Sequence, residues 1–483
     1  MSSAGIRVRI APSPTGYLHV GTARTAIFNY LFARHAGGKF LIRIEDTDAE
    51  RSDDSLIEPI LSSLKWLGIE SDEPVVYQST RLELHKQNIR TLLENGHGYR
   101  CFCTPAEFEA EPEKARAEKR PPRYSRRCLR LSPDEIEQRV RSGQPFAVRL
   151  RVPDGETVFD DMVSGEIRTK NDDIEDLVVA RSDGSPTYNF AVVIDDHDMG
   201  ITHVIRGNDH ISNTFKQIYL YQALGFPVPH FGHVPLILRT DRRKVSKRLG
   251  DKDVAEYRHE GILPEAMFNF LSLLGWSPKT EQEIYTREQL IAIFDSTNLN
   301  SSNAVFDEEK LVSFNRSHIQ LMSDHDLAVL VAPMLVDAGV TTKYWLETRW
   351  DYLRQVVGLL KERTRRVTDF VTFGTYFFSQ DFNYDPEAVA KHFSAETADL
   401  LTALAGRFED LTEFTHQSAE QALEGLAAER QVKKARIIHP VRLAVSGMAV
   451  GPGLYDTLVV LSRPVVLDRL KKAVEYIRTR PQI

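Results

Sequence analysis

Between Arg239 and Arg248 the chain reads RTDRRKVSKR, six basic side chains and one acid around Ser246. The whole chain has 483 residues and a net charge of −7, so this density of positive charge is local. Such a cluster suits a clamp on a polyphosphate. Lysine brings a compact ammonium on a long stem, and arginine a planar fork that matches phosphate oxygens. A solvated loop is the plainer reading. A second stretch, Pro12–Arg24 (PSPTGYLHVGTAR), sets His19 and Gly21 at the mouth of a helix expected to begin near Thr22. A helix N-terminus offers unpaired N–H groups and partial positive charge to an anion. Gly16 and Gly21 let backbone approach a phosphate closely. Alone, this stretch reads as a Pro/Gly turn with a surface histidine.

These residues need elements to hold them. IRVRIA (6–11) and KFLIRIEDTD (39–48) have the β-branched, apolar character of strands. TARTAIFNYLFARHAGG and SDDSLIEPILSSLKWLG have helical spacing. Strand, loop, helix, strand, helix opens a parallel nucleotide-binding sheet, whose ligands bind at the C-terminal ends of its strands. IAPSPTG and RIEDTD both fall there. Residues 99–190 change character and read as an insertion, with all three cysteines and a charged Glu/Lys/Arg/Pro stretch. The α/β pattern then resumes, and after Arg248 helical periodicity dominates. The length suits about three to five domains.

No run of about 18 apolar residues is present and the N-terminus lacks the apolar core of a secretory signal, so a cytoplasmic chain with no membrane span is expected. Three cysteines in a long chain do not make a disulfide framework. Basic stretches at 120–130, 361–366 and 429–436 join the one at 239–248. Each alone reads as a solvated face, but four together point to a long polyanion.

His19-Val20-Gly21-Thr22 resembles the HIGH signature of class I aminoacyl-tRNA synthetases, and Lys244-Val245-Ser246-Lys247-Arg248 resembles their KMSKS signature. RIAPSPTGYLHVGTART, FLIRIEDTD, LKWLGI, YRCFC, PTYNFAVVIDDHDMG, THVIRG and FNFLSLLGW resemble the bacterial glutamyl-tRNA synthetases, and the likeness covers essentially the whole chain. The resemblance implies a multidomain protein. A Rossmann-like class I catalytic domain (1–98 and 191–243) carries an inserted α+β acceptor-end domain (99–190). A KMSKS loop and helical stem-contact domain (244–325) and two all-α anticodon-binding domains (326–378 and 379–483) follow. The implied reaction joins L-glutamate to ATP as glutamyl-adenylate, then to the terminal adenosine of tRNA(Glu). ATP would arrive with Mg²⁺, and a monomer is expected.

Residue roles follow by the same resemblance. His19 and Lys247 are the catalytic pair. ATP would lie against Pro12, Thr15, Gly16, His19, Gly21, Thr22, Lys244, Ser246, Lys247 and Arg248. Glutamate would be held by Arg9, Ala11, Ser13, Glu45, Tyr188 and Arg206, with Glu45 on the ammonium. Without the resemblance, Arg9, Arg206 and Glu45 read as exposed strand-end arginines and a capping acid. Asn208 departs from the family pattern, in which an acid is common. Arg363 matches an anticodon-reading position in the form that accepts tRNA(Glu) alone. A form that also charges tRNA(Gln) and an inactive tRNA-binding paralogue are the alternatives. Glutaminyl-tRNA synthetases end in a β-barrel, which the helical periodicity after residue 330 disfavours.

Cys101, Cys103 and Cys128 resemble a zinc-binding insertion, with Tyr124 as the fourth ligand in place of a histidine. Structural zinc and buried reduced thiols both remain open.

Overall fold

The computed structural model describes residues 5–47, 52–104, 106–107, 124–243 and 252–479. The chain divides into two compact units, 1–257 with 267–307, and 258–266 with 308–483.

In the first unit, strand β1 (Arg7–Ile10) pairs in parallel with β2 (Lys39–Ile44), and β2 with β3 (Val76–Tyr77). Helix α1 (Val20–His35) makes the crossover. Five of the six β2 residues are buried, as expected of a strand covered on both faces. The helix starts at Val20, two residues before the expected Thr22, because His19 itself caps it: Nδ1 accepts the Gly21 N–H at 3.1 Å. Inside α1, the amide of the fully buried Asn29 donates to the Ile205 carbonyl at 3.0 Å.

The insertion is of two kinds. Strands β4 (Gly98–Cys101), β5 (Ala147–Leu150) and β8 (Leu177–Ala180) form a separate antiparallel sheet. The hairpin β6 (Glu156–Asp161) and β7 (Gly165–Lys170) instead joins the parallel pair β9 (His203–Gly207) and β10 (His230–Val234) in a four-stranded sheet, in the order β7-β6-β10-β9. Thr202 donates its N–H to the Arg7 carbonyl at 2.9 Å, beside the start of β9.

From Glu308 to Thr479 the described chain is helical. Side-chain caps mark the starts: Ser323, Ser394 and Thr415 accept N–H groups three residues on. Thus an α/β half with an inserted α+β section precedes an all-α half. Among the described residues no single helix is long and apolar enough to cross a membrane.

Candidate functional site

An open cavity of about 530 Å³ lies over the C-terminal ends of β1 and β9. Its wall includes Arg9, Ala11, Pro12, Ser13, Thr15, Gly16, His19, Gly21, Thr22, Glu45, Tyr188 and Arg206, residues that lie far apart in the chain. The loop after β1 is held against the end of β2 by the Glu45 N–H, which donates to the Pro12 carbonyl at 3.0 Å. Asn208 is not in the wall, whereas its neighbours Gly207 and Asp209 are. Lys244, Ser246, Lys247 and Arg248 lie outside the described residues. Their flanks are placed: Arg243 donates to Asp241 in a tight turn, and the Val254 N–H donates to the Leu18 carbonyl at 3.1 Å, beside a His19–Asp253 bridge.

Since His19 Nδ1 is an acceptor, the proton of the neutral ring sits on Nε2. That leaves Nε2 as a donor beside a helix N-terminus, an arrangement suited to phosphate oxygens.

Beneath the cavity lies a buried ion cluster. Arg9 donates to both oxygens of Asp196, at 3.0 and 3.1 Å, and Arg43 donates to Asp196 at 2.5 Å and to Glu45 at 3.0 Å. Burial opposes ionisation of Asp196, but Arg43 and Arg9 override it and hold the carboxyl at about 2. For Glu45 burial wins, and its pKa is raised despite Arg43 and Arg9. Neighbouring Asp195 is bound by Gln78 at 2.7 Å, Arg81 at 2.7 Å and His85 at 2.9 Å. Arg43, Asp195 and Asp196 were not singled out as site residues in the sequence. Their signal was there, as charged side chains inside apolar runs (KFLIRI and FAVVIDDHD), which must be paired when buried.

Arg206 differs from Arg9. Its partners are the neutral His233 at 3.3 Å, Thr214 at 2.7 Å and Gln217 at 2.8 Å. Its Nη1 is buried with no hydrogen-bond partner. Burial pulls its pKa down to about 10. This cation is desolvated with no carboxylate bound to it among the described residues, which favours an anion entering the cavity.

The three cysteine sulfurs lie within 4.8 Å of one another. Cys103 and Cys128 Sγ are 3.5 Å apart, and the Tyr124 hydroxyl is 3.3 Å from Cys101 Sγ and 3.7 Å from Cys103 Sγ. Sulfurs on a tetrahedral zinc would stand about 3.8 Å apart, given bonds of about 2.3 Å. The three thiols are therefore compatible with zinc, and the Tyr124 hydroxyl lies beside them.

Most described cations of the basic stretches are engaged internally. Arg126 pairs with Asp176, Arg127 with Glu107, Lys434 with Glu424 and Arg436 with Glu396. Arg365 pairs with Glu309, and Arg366 with Glu260 and Glu308. Arg363 is exposed, has no carboxylate partner among the described residues, and lines a concavity with Arg316 and Lys361.

A parallel sheet with a histidine-capped helix and a cation-lined cavity at its strand ends is the catalytic architecture of a class I synthetase. Residues 5–313 match the family of class I tRNA synthetases (E and Q), catalytic domain, and residues 326–474 match an anticodon binding domain. The chain belongs to this class I tRNA synthetase family. It is 44% identical over 471 residues to a glutamate–tRNA ligase of Thermodesulfovibrio yellowstonii, covering 97% of this chain and 99% of the relative. A glutamate–tRNA ligase of Geotalea uraniireducens is 43% identical over 474 residues, covering 98% and 99%. The crystal structure of a glutamate tRNA ligase from Elizabethkingia meningosepticum, in complex with its amino acid, superposes with a TM-score of 0.88 at 31% identity, covering 98% of this chain and all of that one.

Proposed function

We propose that this chain activates L-glutamate with ATP and transfers it to the terminal adenosine of tRNA(Glu), releasing diphosphate and then AMP. Arg206 carries the reading. A buried cation with only neutral partners and an unpartnered Nη1 lines the same cavity as the His19-capped helix start. One cavity thus has a place for a carboxylate and a place for phosphates. Glu45, with its acid facing the same space, is suited to the amino acid's ammonium. Arg9 and Tyr188 complete the glutamate pocket with Ala11 and Ser13. Pro12, Thr15, Gly16, Gly21 and Thr22 line the nucleotide side.

His19 donates to phosphate oxygens as charge grows on them, and Lys247 closes from the 244–248 segment. Lys244, Ser246 and Arg248 support it there. Mg²⁺ arrives with the nucleotide and neutralises part of its charge. Zinc, held by Cys101, Cys103, Cys128 and Tyr124, would be structural. Residues 99–190 receive the acceptor end, and 326–378 with 379–483 read the anticodon. Arg363 is the reader for tRNA(Glu) alone, because its neighbours Arg365 and Arg366 are already committed to carboxylates. The enzyme works as a monomer in the cytoplasm.

The test is charging with labelled glutamate and glutamine on separate tRNA(Glu) and tRNA(Gln) transcripts. Glutamate on tRNA(Glu) alone is expected. Glutamate on both would overturn the role of Arg363, and no charging with tRNA still bound would favour an inactive paralogue.

A further inference from the structure

Arg206 is held from behind by residues outside the substrate pocket assigned above. His233 is almost wholly inaccessible, and its Nε2 faces Arg206 Nε at 3.3 Å and Thr214 Oγ1 at 2.8 Å. Its Nδ1 lies 2.6 Å from Asp161 Oδ2. Asp161 ends β6, so it belongs to the hairpin that the insertion lends to the sheet of β9 and β10.

The hydrogen-bond pattern settles the tautomer. Ionised Asp161 only accepts, taking N–H groups from Val163 at 3.0 Å and Ser164 at 2.9 Å as well. His233 Nδ1 therefore carries the proton and donates to it. Nε2 is then a lone pair, and it faces the guanidinium and the Thr214 hydroxyl. Thr214 Oγ1 in turn accepts from Arg206 Nη2 at 2.7 Å. Burial keeps His233 toward its neutral form. A doubly protonated ring would set one cation against another.

We propose that Asp161 and His233 are positioning residues for Arg206: Asp161 fixes the Nδ1–H tautomer, and the Nε2 lone pair holds the guanidinium so that Nη1 is left to an incoming carboxylate. The negative charge stands one residue back from the arginine. Were Asp161 in direct contact with Arg206, as Asp196 is with Arg9, it would compete with the substrate carboxylate. A neutral imidazole between them orients the arginine without cancelling it. Residues 99–190 thereby contribute to amino-acid recognition as well as to the tRNA contact assigned to them.

The inference rests on the glutamate-activating reading, so wild type is measured first by ATP–diphosphate exchange. Failure of wild type to activate glutamate overturns both. Given an active wild type, Asp161→Asn should raise the glutamate KM roughly 10- to 100-fold, with the ATP KM held within about twofold. His233→Gln, whose amide oxygen can still face Arg206 Nε, should fall between wild type and Asp161→Asn. An unchanged glutamate KM would overturn the proposal, as would parallel rises for glutamate and ATP. If Asp161→Asn does not fold, Asp161→Glu and His233→Gln decide by the same split, with Glu nearer wild type.

Discussion

Arg43 and Asp196 meet at 2.5 Å, and neither side chain reaches solvent to any extent. Asp196 also takes two donors of Arg9, so one carboxylate is shared by two buried cations. Replacing Asp196 with Asn would leave both arginines short of charge in a dry site. The expected cost is about 3–5 kcal/mol of stability, read by denaturant or thermal unfolding, together with loss of glutamate activation. Stability equal to wild type would mean that Glu45 alone suffices.

His19 has two separable tasks, capping α1 through Nδ1 and donating through Nε2. His19→Ala should lose about 1 kcal/mol of stability through the cap and slow ATP–diphosphate exchange by about 10²–10³. His19→Asn keeps a capping oxygen but has no group in the Nε2 position, so it should be as slow yet as stable as wild type. An Asn variant with a normal exchange rate would show that the cap is the whole role.

The thiol cluster predicts one zinc per chain by elemental analysis of the purified protein. Cys128→Ser should abolish it, and Tyr124→Phe should weaken retention against a chelator roughly 10-fold or more. Exchange in the absence of tRNA should change little in either. Full zinc retention by Tyr124→Phe would remove the tyrosine from the ligand set.

Acid should destabilise the protein in two steps. Burial lowers the pKa of His203 and His318 from 6.5 to about 4. Folded pKa values below the unfolded ones mean that the unfolded chain takes the proton first. Their contribution is full above pH 6.5 and is lost as pH falls toward 4. Asp196, lowered from 3.8 to about 2, gives support that is full above pH 3.8 and disappears only below that. Melting temperatures measured from pH 7.5 to 4.5 should therefore fall, with a shallower slope in His318→Asn. A flat profile would contradict the burial of these rings.

Much of the site was legible because the chemistry lies in contiguous loops. Arg9 lies near the end of β1, Pro12 to Thr22 run from there into α1, and Glu45 follows β2, and parallel sheets bring such ends together. The exposed Arg363 was also legible, but its distinction from Arg365 and Arg366 depends on Glu309, Glu260 and Glu308, which approach only in the folded chain. The same holds for the support behind Arg206. Nothing local marks Asp161, His233, Thr214 and Gln217 as a set, since register across β6 and β10 and one face of the helix Ile211–Leu224 bring them together. The start of α1 was placed two residues late because histidine is an uncommon cap, and here the ring does what serine or aspartate usually does.

The β6–β7 hairpin limits how this enzyme can be re-engineered. A transplant that exchanged residues 99–190 between relatives would remove one edge of the β9–β10 sheet along with the appended fold. It would strip β10 of one of its two neighbours and His233 of Asp161. The bared strand would be open to pairing with other chains, a route to aggregation. Cuts placed on either side of 156–170, which keep the hairpin with its host, are the ones a chimera should survive. The boundary that matters for grafting therefore runs through the insert and not around it.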